Sequence, residues 1–225
     1  MSERPPVIAI DGPSASGKGT VAQRVASALG FHYLDSGALY RLVALAVMGQ
    51  PGEDERALEH AARTLNASFS ESKVFLDNRE VTDSLRTEEV GARASRVAAY
   101  PRVRTALLER QRAYRQPPGL VADGRDMGSV VFPDAALKIF LTADAEERAR
   151  RRHKQLIDKG MDASMATLLQ DIRARDERDC LRAVAPLQKW DDAVLLDTTR
   201  LTIDEAAEQI IAQYFATLAV ATRAP

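Results

Sequence analysis

The stretch GPSASGKGT, residues 12–20, follows the apolar run VIAID at 7–11 and opens the amphipathic run KGTVAQRVASALG. No other feature of the chain restricts its fold as strongly. A glycine-rich turn between a buried strand and a helix start belongs to α/β frameworks, where backbone N–H groups at the positive helix end surround an anion. Gly12, Gly17 and Lys18 match Gly–x4–Gly–Lys, but the Ser or Thr that usually follows is displaced: Gly19 comes next and Thr20 one place later. The amides of residues 13–20 are expected to wrap phosphate oxygens, with Lys18 as a mobile cation for the β- and γ-phosphates. The expected ATP contacts are Gly12, Pro13, Ser14, Ala15, Ser16, Gly17, Lys18, Gly19 and Thr20. Gly19 would let backbone and phosphate approach closely. Thr20, still in the first helical turn, is a candidate for Mg²⁺, directly or through water.

The rest of the chain repeats this alternation. VIAID (7–11), LVAD (120–123), LKIFLTA (137–143) and VLLD (194–197) read as buried strands. The first helix places Val21, Val25, Ala28 and Leu29 on one face and stops at Gly30, and further helices are expected near 38–48, 53–65, 101–115, 144–157, 163–178 and 203–218. Strands alternating with helices predict a mostly parallel sheet covered on both faces. KVFLDNREV, within 67–89, reads instead as two strands around Asn78-Arg79 in a small antiparallel insertion. The charged stretch between IDKG and RARDERDC carries a weaker apolar stripe and suits a mobile flap.

Composition narrows the function classes. With a net charge of −1 the chain lacks the basic excess of a general nucleic-acid binder. One cysteine, Cys180, leaves no intrachain disulfide and no cysteine-based zinc cluster, and no His or Asp arrangement makes it a nucleophile. His32, His60 and His153 show no ligand spacing, and Trp190 reads as a packing residue. No run approaches the roughly 18 apolar residues of a membrane span, and the start MSERPPVIAI has no leader pattern, so a cytoplasmic protein is expected. Only six of the 31 basic residues are lysine, which gives weight to those arginines that stand in motifs.

Two such motifs lie downstream. LDSGALYR (34–41) places an Asx/Ser turn before a helix, with Arg41 one turn inside. VADGRDMGSVVFP (121–133) ends a buried strand in Asp123, Gly124, Arg125 and Asp126, at the carboxyl edge where open α/β sheets bind ligands. Together with GPSASGKGT, ASRVAAYPRVR, KIFLTA and RDERDCLRAVAPL, these motifs resemble the bacterial type of cytidylate kinase across almost the whole chain. GKGT in place of GK[ST] is similar to the nucleoside-monophosphate kinase branch of phosphate-loop proteins.

The resemblance implies one phosphate-loop kinase domain. Its core would span about 1–37, 117–147 and 183–225, with an α+β region binding the nucleoside monophosphate at about 38–116 and a helical lid at about 148–182. It implies transfer of the ATP γ-phosphoryl to CMP or dCMP, with Mg²⁺, by a monomer that binds neither nucleic acid nor membrane. Positions matching Ser95, Arg104 and Asp126 read the base; Arg175 and Asp179 meet the ribose; Ser36, Arg41 and Arg125 hold the acceptor phosphate; Arg182 is a further basic residue of the closed site. A carboxylate accepts from the cytosine amino group and a guanidinium donates to N3 and O2, so the residue types suit cytosine. Lys18, Arg125 and Arg41 are the expected catalytic residues, Asp123 joins Thr20 near Mg²⁺, and Arg148, Arg151 or Arg152 would close on the moving phosphoryl. Two alternatives stay open at this point: a kinase for UMP, AMP or a sugar acid, and a non-catalytic ATP-binding regulator.

Overall fold

β1 (Val7–Asp11) is buried along its whole length because it lies in the middle of a five-stranded sheet. The computed structural model describes residues 4–49, 54–70, 73–158 and 160–221. The sheet order is β2-β6-β1-β7-β8, with β2 at His32–Asp35, β6 at Leu120–Gly124, β7 at Leu137–Thr142 and β8 at Val194–Asp197. β1 pairs in parallel with β6 and β7, and β7 with β8, as the continuous apolar runs predict. Ile8 and Ile10 pack with Val21, Ala22, Val25 and Ala26 of α1 (Lys18–Leu29) and with Ala206, Ala207, Ile210 and Tyr214 of α8 (Ile203–Ala221). Val7, Ala9, Leu120 and Ala122, which alternate with them, are equally inaccessible. Ala22 and Ala26 take the inward places where Ala28 was expected; Ala28 is exposed, because the buried stripe runs through the pairs 21/25 and 22/26 and residue 28 lies at its edge in the last turn.

The chain divides into two compact units, one holding residues up to Leu34 and from Tyr114 onward, the other Asp35–Ala113. In the second, α2 (Ser36–Ala46) packs on α4 (Glu88–Val97) and α3 (Glu55–Arg63) on α5 (Pro101–Ala113). The helix expected at 53–65 begins at Glu55 behind Asp54, whose side chain accepts from the Arg56 amide; residue 53 lies outside the described residues. The insertion is three-stranded rather than two-stranded: β3 (Ala67–Ser70), β4 (Lys73–Leu76) and β5 (Arg79–Glu80), paired antiparallel. Its tight turn sits at Asp77-Asn78, one residue before the expected place. Both have positive φ, 49° and 63°, which Asp and Asn tolerate and a two-residue hairpin requires, while Arg79 pairs with Leu76.

In the first unit, α6 (Ala145–Ile157) packs on α7 (Met165–Leu181), and residue 159 between them lies outside the described residues. α7 occupies the stretch predicted as a flap and buries Leu168, Ile172 and Asp179. Among the described residues no helix is long and apolar enough to cross a membrane.

Candidate active site

The phosphate loop connects β1 to α1, and its glycines are dictated by contact and conformation. A Cβ on Gly12 would stand 1.9 Å from the Leu141 carbonyl oxygen of neighbouring β7, so only hydrogen fits there. Gly17, which caps α1, has φ 88°, a left-handed conformation that glycine adopts without steric cost. The loop carbonyls are taken up by donors on the protein side. Ser16 Oγ and Lys18 Nζ donate to Pro13 O at 3.0 and 3.1 Å. Arg148 Nη1 donates to Ser14 O at 3.1 Å, and Arg151 Nη1 and Thr198 Oγ1 donate to Ser16 O at 3.1 and 3.4 Å. The loop's N–H groups lie at the N-terminal end of α1, where an anion is favoured. The buried Ser14 hydroxyl has no hydrogen-bond partner among the described residues.

Arg148 and Arg151, expected to close on the moving phosphoryl, are thus placed on loop carbonyls. Arg148 is also buried and paired with Asp176 of α7 at 2.7 Å. Arg152, on the same helix, donates to Gln155 Oε1 at 3.4 Å.

At the neighbouring strand end, Asp123 approaches the loop. Its Oδ1 lies 3.9 Å from Lys18 Nζ, both side chains being buried, and its Oδ2 accepts from Tyr33 Oη of β2 at 3.3 Å. A Cβ on Gly19 would stand 3.0 Å from that same Oδ2 and 3.5 Å from Tyr33 Oη. A side chain at position 19 would therefore press on the Asp123 carboxylate, which would have to give by a few tenths of an ångström. Thr20, the other expected Mg²⁺ neighbour, is exposed on the first turn of α1.

Beyond Asp123, Arg125 Nε donates to Asp179 Oδ2 at 2.9 Å and its Nη1 to Gly124 O at 3.1 Å. Burial would lower the Arg125 guanidinium, but Asp179, Asp123 and Asp176 outweigh it and hold it above its ordinary value. Burial likewise pushes Asp179 up, and Arg125, Arg175 and Arg182 overcome that push and hold it below the usual carboxylate range. Arg182 also donates through Nε to Ala185 O. Asp179 is thus no solvated helix surface.

A pH test follows from this pair. Because folding lowers the Asp179 pKa, its stabilisation is present above the ordinary value of 3.8 and is lost as pH falls toward the folded value. Asp179→Asn should lack that acid-side loss and be about 1.5–3 kcal/mol less stable at neutral pH, since Arg125 loses a charge-assisted hydrogen bond but keeps Asp123 and Asp176 nearby. Urea titrations of both proteins from pH 7 to pH 3 test it; parallel curves would contradict the coupling.

Asp126 is buried, and just before it in space lies Asp11, the last residue of β1. Asp11 Oδ1 accepts from the Met127 amide at 2.8 Å and Oδ2 from the Gly128 amide at 2.9 Å. Burial pushes its carboxyl up to about 7, assisted by the Asp126 charge and opposed by those two amides.

The second unit holds the other four residues singled out from the sequence. Ser36 is buried at the start of α2, where Asp35 Oδ1 accepts from the Ala38 amide at 3.0 Å. Arg41 Nη1 donates to Leu85 O at 2.6 Å. Ser95 of α4 and Arg104 of α5 are both buried, and Arg104 donates to Ala98 O at 3.3 Å with its guanidinium 6.0 Å from the Tyr40 ring centroid. An arginine that reads in sequence as one of many on a helix surface is in fact inside the fold.

Three smaller features complete the description. Cys180 is exposed, and burial together with Asp176 and Asp179 raises its thiol, against any nucleophilic use. Among the described residues no group of three His, Cys, Asp or Glu side chains could hold a metal. Trp190 is 41 % exposed and partly covered, in residues 182–190, which run without helix or strand. Sequence reading also missed Asp11, Tyr33, Asp176 and Thr198, whose partners are remote in the chain.

A loop tied back by its carbonyls at the end of a central parallel strand, with Lys18 and Asp123 beside it, defines a phosphate-loop nucleotide-binding α/β protein. The cytidylate kinase family model matches residues 8–216. A cytidylate kinase of Nitrosomonas europaea is 58 % identical over 211 residues, 93 % of this chain and 95 % of that one. Those of Chromobacterium violaceum and Bordetella pertussis are each 60 % identical over 208 residues, 92 % of this chain and 94 % and 93 % of theirs. The chain belongs to the cytidylate kinase family.

Proposed function

We propose that the chain transfers the γ-phosphoryl group of ATP to CMP and dCMP, giving ADP and CDP or dCDP. The observation that carries this reading is the charge arrangement at the ends of two adjacent strands: Lys18 on the loop after β1, and Asp123, Arg125 and Asp126 at and just beyond the end of β6. Lys18 stabilises charge growing on the donor phosphates, while Arg125 and Arg41 hold the acceptor phosphate with Ser36. Ser95, Arg104 and Asp126 read cytosine, and Arg175, Asp179 and Arg182 complete the CMP contacts. Catalysis is positioning plus charge stabilisation, and no general base is needed, since the acceptor phosphate is already a nucleophile at neutral pH.

The donor set suits Mg²⁺, which takes hard oxygen ligands and binds through one or two carboxylates together with substrate phosphates. Asp123 and Thr20 would hold it, directly or through water. When bound, it neutralises charge on the donor phosphates.

Incubation with ATP, Mg²⁺ and each of CMP, dCMP, UMP and AMP tests the proposal. Diphosphate is expected from CMP and dCMP well ahead of the others; preference for UMP or AMP, or no product, would overturn it. A sharper version uses Asp126→Asn. Its amide can turn NH₂ toward O4 of uracil, so CMP should lose kcat/KM and UMP gain, narrowing their ratio by roughly 10- to 100-fold, the ~1–3 kcal/mol of one specific base contact. Equal loss on both nucleotides would remove Asp126 from base recognition.

A further inference from the structure

Asp11 is a buried carboxylate with no place in the chemistry above, yet both its oxygens are engaged. They accept from two consecutive backbone amides, Met127 and Gly128, at 2.8 and 2.9 Å. Those are the two amides that follow Asp126. The same peptide is held through the Asp126 carbonyl, which accepts from Val130 and Val131 at 2.9 and 3.2 Å. The Asp126 backbone, at φ −149° and ψ 24°, is neither helical nor within the strand. Two clamps fix the peptide that follows Asp126, and with it the backbone from which its side chain leaves. One clamp is local, a single turn at Met127–Val131. The other reaches to β1, the central strand, paired on both edges with β6 and β7.

We infer that Asp11 is a positioning residue for recognition of the acceptor base: it ties the backbone of residues 127 and 128 to the central strand and so aims Asp126. This rests on the reading of Asp126 as the residue that meets cytosine. The carboxylate is chemically specific to the task. Two parallel N–H groups need two acceptors, and an amide supplies one acceptor and one donor, which would face an N–H. Asp11 also precedes the phosphate loop, so a purely structural role would disturb ATP binding at least as much as CMP binding.

That difference makes the test. Asp11→Asn should raise KM for CMP about 10-fold or more, the cost of leaving one buried N–H without an acceptor, while KM for ATP changes less than about threefold. It should also narrow the CMP/UMP ratio of kcat/KM. In the double variant with Asp126→Asn the ratio should be no narrower than in Asp126→Asn alone, because Asp11 acts through Asp126. A KM for ATP that rises as much as that for CMP, or ratio effects that add in the double variant, would overturn the inference. Should Asp11→Asn fail to fold, hydrogen exchange on the wild type decides. Slow exchange at Met127 and Gly128 is expected, and exchange as fast as in exposed loops overturns the clamp. A wild type without preference for CMP would overturn the functional reading and this inference with it. A wild type that prefers CMP, narrowed by Asp126→Asn but unmoved by Asp11→Asn, overturns this inference alone.

Discussion

Lys18→Ala is expected to fold as the wild type does and to lose phosphoryl transfer roughly 100-fold or more, about 2.7 kcal/mol of barrier. The fold should survive because the neighbours of Lys18 keep other partners. Pro13 O still accepts from Ser16 Oγ, and Asp123 still accepts from Tyr33 Oη and stays within the field of Arg125. What disappears is the one buried cation on the loop itself that can follow charge as it builds on the donor phosphates. The measurement is kcat with ATP and CMP beside a thermal melt. More than about a tenth of wild-type kcat in a normally folded variant, a barrier change under about 1.4 kcal/mol, would contradict the assigned role.

Gly12→Ala should do more damage by a different route. Its methyl would lie 1.9 Å from Leu141 O and 3.0 Å from Leu141 C, both backbone atoms of a paired strand. Neither can rotate away as a side chain would, so either the loop lifts from β7 or the β1–β7 pairing opens. Overpacking in well-packed interiors costs about 1–3 kcal/mol, and contact against backbone belongs at the top of that range. The expected result is a melting temperature lower by several degrees and loss of ATP-dependent stabilisation of the remaining folded protein. Differential scanning fluorimetry with and without ATP reads both. Normal ATP stabilisation would show that the loop tolerates the shift.

Most of the sheet was legible in the residues because parallel strands are continuous apolar runs: β1, β6, β7 and β8 all announce themselves, although β8, expected to be buried, lies at the sheet edge and buries only Leu196. β2 does not. It is four residues at the sheet edge with only Leu34 fully buried, so it has neither a run nor an alternation. α4 was missed although its start signal is present: Thr87 accepts from the Val90 amide, with Glu88 and Glu89 in the first turn. That signal was absorbed into the insertion before it. In the site, residues carried by motifs could be named in advance, but their partners could not. Arg148 to Ser14 O, Asp11 to Met127 and Tyr33 to Asp123 link positions 134, 116 and 90 residues apart, and no local pattern encodes them. Arg104 shows the converse limit, since periodicity cannot tell a buried arginine from its solvated neighbours on the same helix.

The carboxylate of Asp123 beside Gly19 means that the loop and the next strand compete for one small volume. A hydroxyl side chain at position 19 would bring its Cβ to 3.0 Å from the Asp123 Oδ2, so the acid must turn slightly to admit it. Replacing GKGT by the commoner GKST pattern therefore also re-aims Asp123, and through it the hydrogen bond from Tyr33. A redesign of position 19 is a redesign of the carboxylate opposite as well.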